Sequence, residues 1–234
     1  MKIQFVVHES FEAPVAYLKW AQARGHDVQL IEVYKGDKLP QDASAGDMLV
    51  VMGGPQSPQT TRQECPHFDA DAEKALIQAY MAADKPIVGV CLGAQLLGEA
   101  YGAPVEHSPE REIGVFPIQL TKAGQADPCL QDFAETELVG HWHGDMPGLT
   151  PEAVVLATSS GCPRQLVRFG DKHYAFQCHL EFDQAAVQGL LVHEEAFDQQ
   201  VAQNTYVQDQ ESLLSYDYQD MNALLWTFLD RLVV

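Results

Sequence analysis

Through the first hundred positions, short apolar runs alternate with helical stripes. Residues 3–7 predict a strand, 14–24 a helix that Gly25 stops, and 28–33 a second strand. Residues 48–52 are almost purely apolar, the pattern of a parallel strand buried on both faces. Pro55, Pro58 and Pro66 make residues 53–68 a loop. Ala72, Leu76, Ala79, Tyr80 and Ala83 then line one face of a helix. Residues 86–90 form another buried strand that runs directly into a helical stretch carrying Leu96, Leu97 and Tyr101. Strand–helix alternation of this kind predicts right-handed crossovers and an α/β fold with a doubly wound, mostly parallel sheet.

From about residue 118 the strands shorten, at 118–120, 137–142, 154–157, 165–169 and 174–179. They predict antiparallel strands added at a sheet edge. A final helix carries the stripe Met221, Leu224, Leu225, Phe228, Leu229 and Leu232, which should dock on the core. No repeat, low-complexity tract or linker interrupts the chain. One domain over residues 1–234 is expected, with a core over about 1–185 and a helical extension over 186–234.

Composition narrows the function classes. With 14 Lys+Arg against 33 Asp+Glu the formal charge is −19, which argues against nucleic acid or an anionic membrane surface as a partner. Nothing approaches the length of a membrane span, and the apolar start is too short for a signal peptide. Five cysteines without a CxxC spacing support neither a disulfide framework nor a zinc knuckle, so a cytoplasmic location is expected. Residues 173–230 hold ten acids and no Lys or Arg, which predicts a solvated acidic face or, alternatively, a docking surface for a basic partner.

The sharpest chemical signal is Gly89-Val90-Cys91-Leu92-Gly93, between a strand and a helix. It has the form of a nucleophile elbow with Cys where many hydrolases carry Ser. Side chains at the two glycine positions would collide with the crossing strand and helix. The positive end of the helix favours a thiolate at Cys91, and the Leu92 N–H is aimed where an oxyanion would form. A cysteine nucleophile needs a base and the base an orienting group. His179 and Glu181, two residues apart in extended chain, fall on one side and supply both. Met52-Gly53-Gly54-Pro55-Gln56-Ser57-Pro58 follows another strand and can bring backbone N–H groups close to a ligand; no G-K-[ST] makes it a phosphate loop. His141-Trp142-His143-Gly144-Asp145 lies at a further strand end and should shape the pocket. Its spacing to Cys178 and His179 matches no standard zinc pattern, and using His179 as a ligand would remove the base, so no metal and no cofactor are expected.

Together these pieces resemble the class I, triad-type glutamine amidotransferase domain, in particular stand-alone members similar to the amidotransferase half of GMP synthase. The resemblance rests on Gly53-Gly54-Pro55, Gly89-Val90-Cys91-Leu92-Gly93-Ala94-Gln95, His143-Gly144-Asp145 and Gln177-Cys178-His179-Leu180-Glu181, in family order over roughly residues 1–185. It implies a flavodoxin-like sheet, with Cys91 as nucleophile, His179 as general base and acid and Glu181 as the orienting carboxylate. Leu92 and Gly54 would supply the oxyanion-hole amides. Gln95, Gln56, Trp142, His143, Gly144 and Asp145 would contact the substrate. Two departures stand out. Leu180 replaces the family's proline between His and Glu and loses its rigidity, which loosens their geometry while the triad residue types survive, and Cys178 replaces an aromatic expected to pack beneath the base.

The implied reaction is release of ammonia from the glutamine side chain through a γ-glutamyl thioester. About 50 residues follow Glu181, too few for a synthetase domain, so ammonia would pass to a separate synthetase subunit or to water. Two alternatives use the same scaffold: a hydrolase or peptidase acting on other γ-glutamyl compounds, and a non-catalytic regulatory subunit carrying a relic triad.

Overall fold

The computed structural model describes residues 1–234. β1 (Lys2–Val7), β2 (Asp27–Glu32), β3 (Met48–Val51), β4 (Ile87–Val90) and β9 (His173–Phe176) form the parallel part of one sheet, in the order β2-β1-β3-β4-β9. Antiparallel neighbours β8 (Leu166–Arg168), β7 (Val154–Thr158) and β5 (Glu106–Leu120) extend it beyond β9, and β6 (Thr136–Met146), which follows the one-turn helix α4 (Lys122–Gln125), pairs with β5. The mostly parallel, doubly wound arrangement with antiparallel edge strands is the one the apolar pattern predicts.

Alternation within the central strands explains why they read as unbroken apolar runs. Val50, Val88, Val90 and Phe176 enter one core, where they meet Tyr17 and Trp20 of α1 (Val15–Ala23) and Leu225, Phe228 and Leu229 of α8 (Gln219–Leu232). Leu49, Val51, Ile87 and Ala175 enter the opposite core, against Leu76, Ile77 and Tyr80 of α2 (Ala70–Ala82) and Leu92, Leu96 and Leu97 of α3 (Leu92–Ala100). A strand covered on both faces has no polar side to show in sequence.

Several expectations are corrected. The buried face of α2 runs through Glu73, Leu76, Ile77 and Tyr80, while Ala83 lies past the helix end and is exposed. Periodicity missed it because a charged residue, Glu73, occupies a core position. β5 begins at Glu106 rather than 118; its register shifts between His107 and Glu112, and Pro109 and the charges around it hide the strand. β6 continues to Met146, so His143, Gly144 and Asp145 sit within a paired strand rather than in a loop beyond one. β9 stops at Phe176, and residues 177–179 leave the ladder except for a bridge between His179 and Gly140.

The C-terminal segment packs as α5 (Gln184–His193), α6 (Phe197–Gln203), the two-residue strand β10 (Tyr206–Val207), α7 (Gln210–Ser215) and α8. It is therefore not wholly helical: β10 adds to the free edge of β5, in parallel. No helix is long and apolar enough to cross a membrane.

Phe228 is fully buried with its ring edge-on to Tyr174 and Phe176, centroids 5.0 and 4.9 Å away. Phe228→Ala should destabilise the protein by about 3–5 kcal/mol, read as a lower midpoint in guanidinium unfolding with little change of slope.

Candidate active site

The turn from β4 to α3 holds Cys91 at φ +51° and ψ −107°, a conformation side chains rarely adopt. Its surroundings enforce that geometry. The Cys91 N–H donates to the Phe176 carbonyl at 2.7 Å. A Cβ on Gly93 would lie 2.0 Å from the Val51 carbonyl oxygen, and one on Gly89 would lie 2.3 Å from the Gly93 carbonyl oxygen. Both positions thus exclude any side chain, and the thiol is presented at the carboxyl ends of the parallel strands. The first N–H groups of α3, Leu92's among them, have no acceptor one turn back within the helix.

His179 and Glu181 meet as extended spacing predicts: Nδ1 lies 2.7 Å from Glu181 Oε1, and both side chains are almost fully buried. Burial pushes the imidazole pKa down, but Glu181 and the neighbouring Cys91 outweigh it and hold it well above its ordinary 6.5. Nε2, the other nitrogen, is buried without a hydrogen-bond partner.

The two departures from the family motif are compensated locally. Where proline would stiffen the His–Glu link, Asn222 of α8 donates to the Leu180 and Phe182 carbonyls at 2.7 and 3.0 Å, and His179 exchanges backbone hydrogen bonds with Gly140 at 2.8 and 2.9 Å. An aromatic beneath the imidazole comes instead from Phe182, stacked on it at 4.2 Å. Cys178 instead turns its thiol to the Gln165 carbonyl.

Cys91 opens into a cavity of about 390 Å³. Gly54, Gln56, Gln95, Trp142, His143, Gly144 and Asp145 all border it, so the structure brings these sequence candidates to one place. Their side chains behave differently. Gln95 donates to Gln177 Oε1 at 3.2 Å, and Gln56 donates to Glu9 at 2.9 Å. The Trp142 carbonyl lies 3.7 Å from the Cys91 Sγ, which donates to it. Asp145 accepts from His107 at 2.6 Å.

The His143 imidazole turns away from the cavity into a buried cluster with Glu112 and His141, whose donor atoms lie within 4.8 Å of one another. Such a set could hold a metal ion. The Ser159 hydroxyl lies 2.8 and 2.9 Å from the two Glu112 oxygens and can donate to Oε1, while Gln165 donates to Oε2 at 2.6 Å, so each carboxylate oxygen has a donor from the protein alone. Burial drives His141 down to about 3, keeping it neutral. The cluster buttresses the strand that carries residues 142–145.

The roof of the cavity has no signature in the sequence. The corner between α5 and α6 closes over the cavity: His193 stacks on Phe11 at 3.9 Å, and Phe197 stacks on Trp142 at 6.2 Å. Glu194 ties it down by accepting from Trp142 Nε1 at 2.7 Å and Arg111 at 2.8 Å. Glu12 has no signature either. It borders the cavity beside Cys91, and burial raises its carboxyl to about 7 against the opposing pull of His179. Neither feature carries a local motif, because each depends on contacts between distant segments.

The sequence profile of class-I glutamine amidotransferases matches residues 16–198. The chain belongs to that family. The glutamine amidotransferase-like protein YfeJ of Salmonella typhimurium is 50% identical over 100% of this chain and 98% of its own length. A GMP synthase of Lactobacillus delbrueckii subsp. bulgaricus is 33% identical over 56% of this chain, which corresponds to 26% of that longer protein. Among solved structures, SMU.1228c superposes with a TM-score of 0.99 at 56% identity, over 100% of both chains.

Because Glu181 raises the His179 pKa above its ordinary 6.5, the stabilisation this pair gives is present below about 6.5 and lost as pH rises through the folded value. Glu181→Gln should lower the His179 titration, followed by NMR of the imidazole ring; an unmoved titration would contradict the pairing.

Proposed function

We propose that the protein hydrolyses the side-chain amide of glutamine through a Cys91–His179–Glu181 triad. The observation that carries this reading is the strained elbow thiol adjoining an imidazole whose far nitrogen is held by a buried carboxylate. Cys91 passes its thiol proton to His179 Nε2 and its sulfur attacks the amide carbon, and the charge that develops on the amide oxygen is met by the Leu92 and Gly54 N–H groups. His179 Nε2 passes its proton to the departing ammonia, leaving a γ-glutamyl thioester. The neutral imidazole then takes a proton from water, hydroxide attacks the thioester carbon, and glutamate leaves as the thiol is restored. Gln95, Gln56 and the backbone of residues 142–145 hold the amino-acid end. No step requires a cofactor.

A separate synthetase subunit is the acceptor that kinship with GMP synthase suggests, since the aligned stretch is about a quarter of that longer protein. Release of ammonia to water is the simpler alternative. A second reading of the substrate is favoured by the cavity itself. At about 390 Å³ it has more room than glutamine needs, and Glu12, Glu195 and Asp145 border it, while the Arg111 and Glu194 charges there cancel each other. Such walls suit a γ-glutamyl amide whose leaving amine is larger than ammonia and positively charged.

Cys91→Ala should abolish glutamate release, by at least about 10³-fold, with an unchanged circular dichroism spectrum; retained activity would remove the assignment. A panel of glutamine, γ-glutamyl peptides and γ-glutamyl derivatives of aliphatic diamines, compared by kcat/KM, separates the two substrate readings.

A further inference from the structure

His8, the residue after β1, is fully buried behind the glycine loop. Its Nδ1 lies 2.8 Å from the Gly53 carbonyl oxygen and its Nε2 lies 2.8 Å from the carboxylate of Glu73 on α2, itself buried. A carbonyl can only accept, so Nδ1 carries a proton. Facing a carboxylate, Nε2 is best protonated too. Burial alone would lower this imidazole's pKa, but Glu73, the Gly53 carbonyl and Glu12 outweigh it, and the balance is upward. The protein thus spends two buried ionisable groups, one with an unpartnered Glu73 Oε1, on holding one backbone carbonyl.

That carbonyl belongs to the peptide whose other end is the Gly54 N–H. No peptide bond in the chain is cis, so the two point in opposite directions: the carbonyl toward His8, the N–H away from it. No backbone or side-chain group of the protein accepts from the Gly54 N–H. Gly54 borders the cavity with Cys91, and a Cβ on Gly53 would lie 3.4 Å from the Cys91 Cβ. Turning this peptide over would aim a carbonyl at the developing oxyanion and strand the buried His8 N–H without an acceptor.

We infer that the Glu73–His8 pair positions the Gly53–Gly54 peptide so that the Gly54 N–H stands ready as an oxyanion donor without help from a partner subunit. His8 and Glu73 touch no reacting atom; they act through the peptide. The inference rests on the proposed amide hydrolysis at Cys91 and adds to it that the hole is built in the free protein. A hydrogen bond from a charged imidazole also polarises the peptide and strengthens its N–H as a donor.

The test uses the full chain and whichever amide the wild type hydrolyses. Glu73→Gln should lower kcat by about 10- to 100-fold, short of or equal to losing an oxyanion donor outright, with KM changed less than about twofold. Alkylation of Cys91 by iodoacetamide, followed by peptide mass spectrometry, needs no oxyanion hole and should keep its wild-type rate. A kcat within twofold of wild type would overturn the inference, and so would a parallel fall in alkylation, which would place the damage at the nucleophile or in the fold. If Glu73→Gln does not fold, His8→Gln carries the same test with the same expected split. Failure of the underlying reading is visible separately, as a wild type that hydrolyses no γ-glutamyl amide and resists alkylation at Cys91.

Discussion

Cys91 sits where a buried strand must turn into a helix with no room to spare, and the rest of the site is arranged around that turn. Val51 of the neighbouring strand presses on Gly93, Gly93 presses on Gly89, and the Phe176 carbonyl holds the Cys91 N–H. The same close packing brings β9 alongside β4, so the segment leaving β9 delivers His179 next to the thiol. Strain at the turn is sustained by two cores, one on each face of the sheet.

Around that point the chain relies on hydrogen bonds where the family motif has proline, and on the Phe182 ring where it has an aromatic. Asn222 reaches from the last helix to clamp the carbonyls on either side of Glu181, which makes α8 part of the site's scaffold as well as of the core. Gly140 must lack a side chain because the Phe182 ring, stacked on the His179 imidazole, occupies that space: a Cβ would lie 2.6 Å from it. The C-terminal segment closes the site from above through Glu194, His193 and Phe197. The acidic face read from the sequence is therefore partly turned inward, with Glu194 engaged by Arg111 and Trp142.

The parallel half of the fold, the strained turn at Cys91 and the contact of His179 with Glu181 were legible because each has a local signature. Apolar runs mark strands covered on both faces, glycines two residues either side of a cysteine mark an elbow, and alternate positions in extended chain share a side. The remainder was hidden for equally physical reasons. Glu73 and Glu112 are charged residues in core positions, compensated by partners 65 and 47 residues away respectively, and no window of sequence carries that pairing. The start of β5 was masked by charges and Pro109 at a register shift. Glu12 and the roof border one cavity because the first loop and the segment after α5 lie at the same end of the sheet, a proximity that no local motif carries.

The most direct measurement is the site of covalent capture by a chloroketone analogue of glutamine, mapped by mass spectrometry on the intact protein and its peptides. The account predicts a single adduct on Cys91, formed rapidly and suppressed by excess γ-glutamyl substrate. An adduct spread over Cys65 and the other thiols, or none at all, would contradict it.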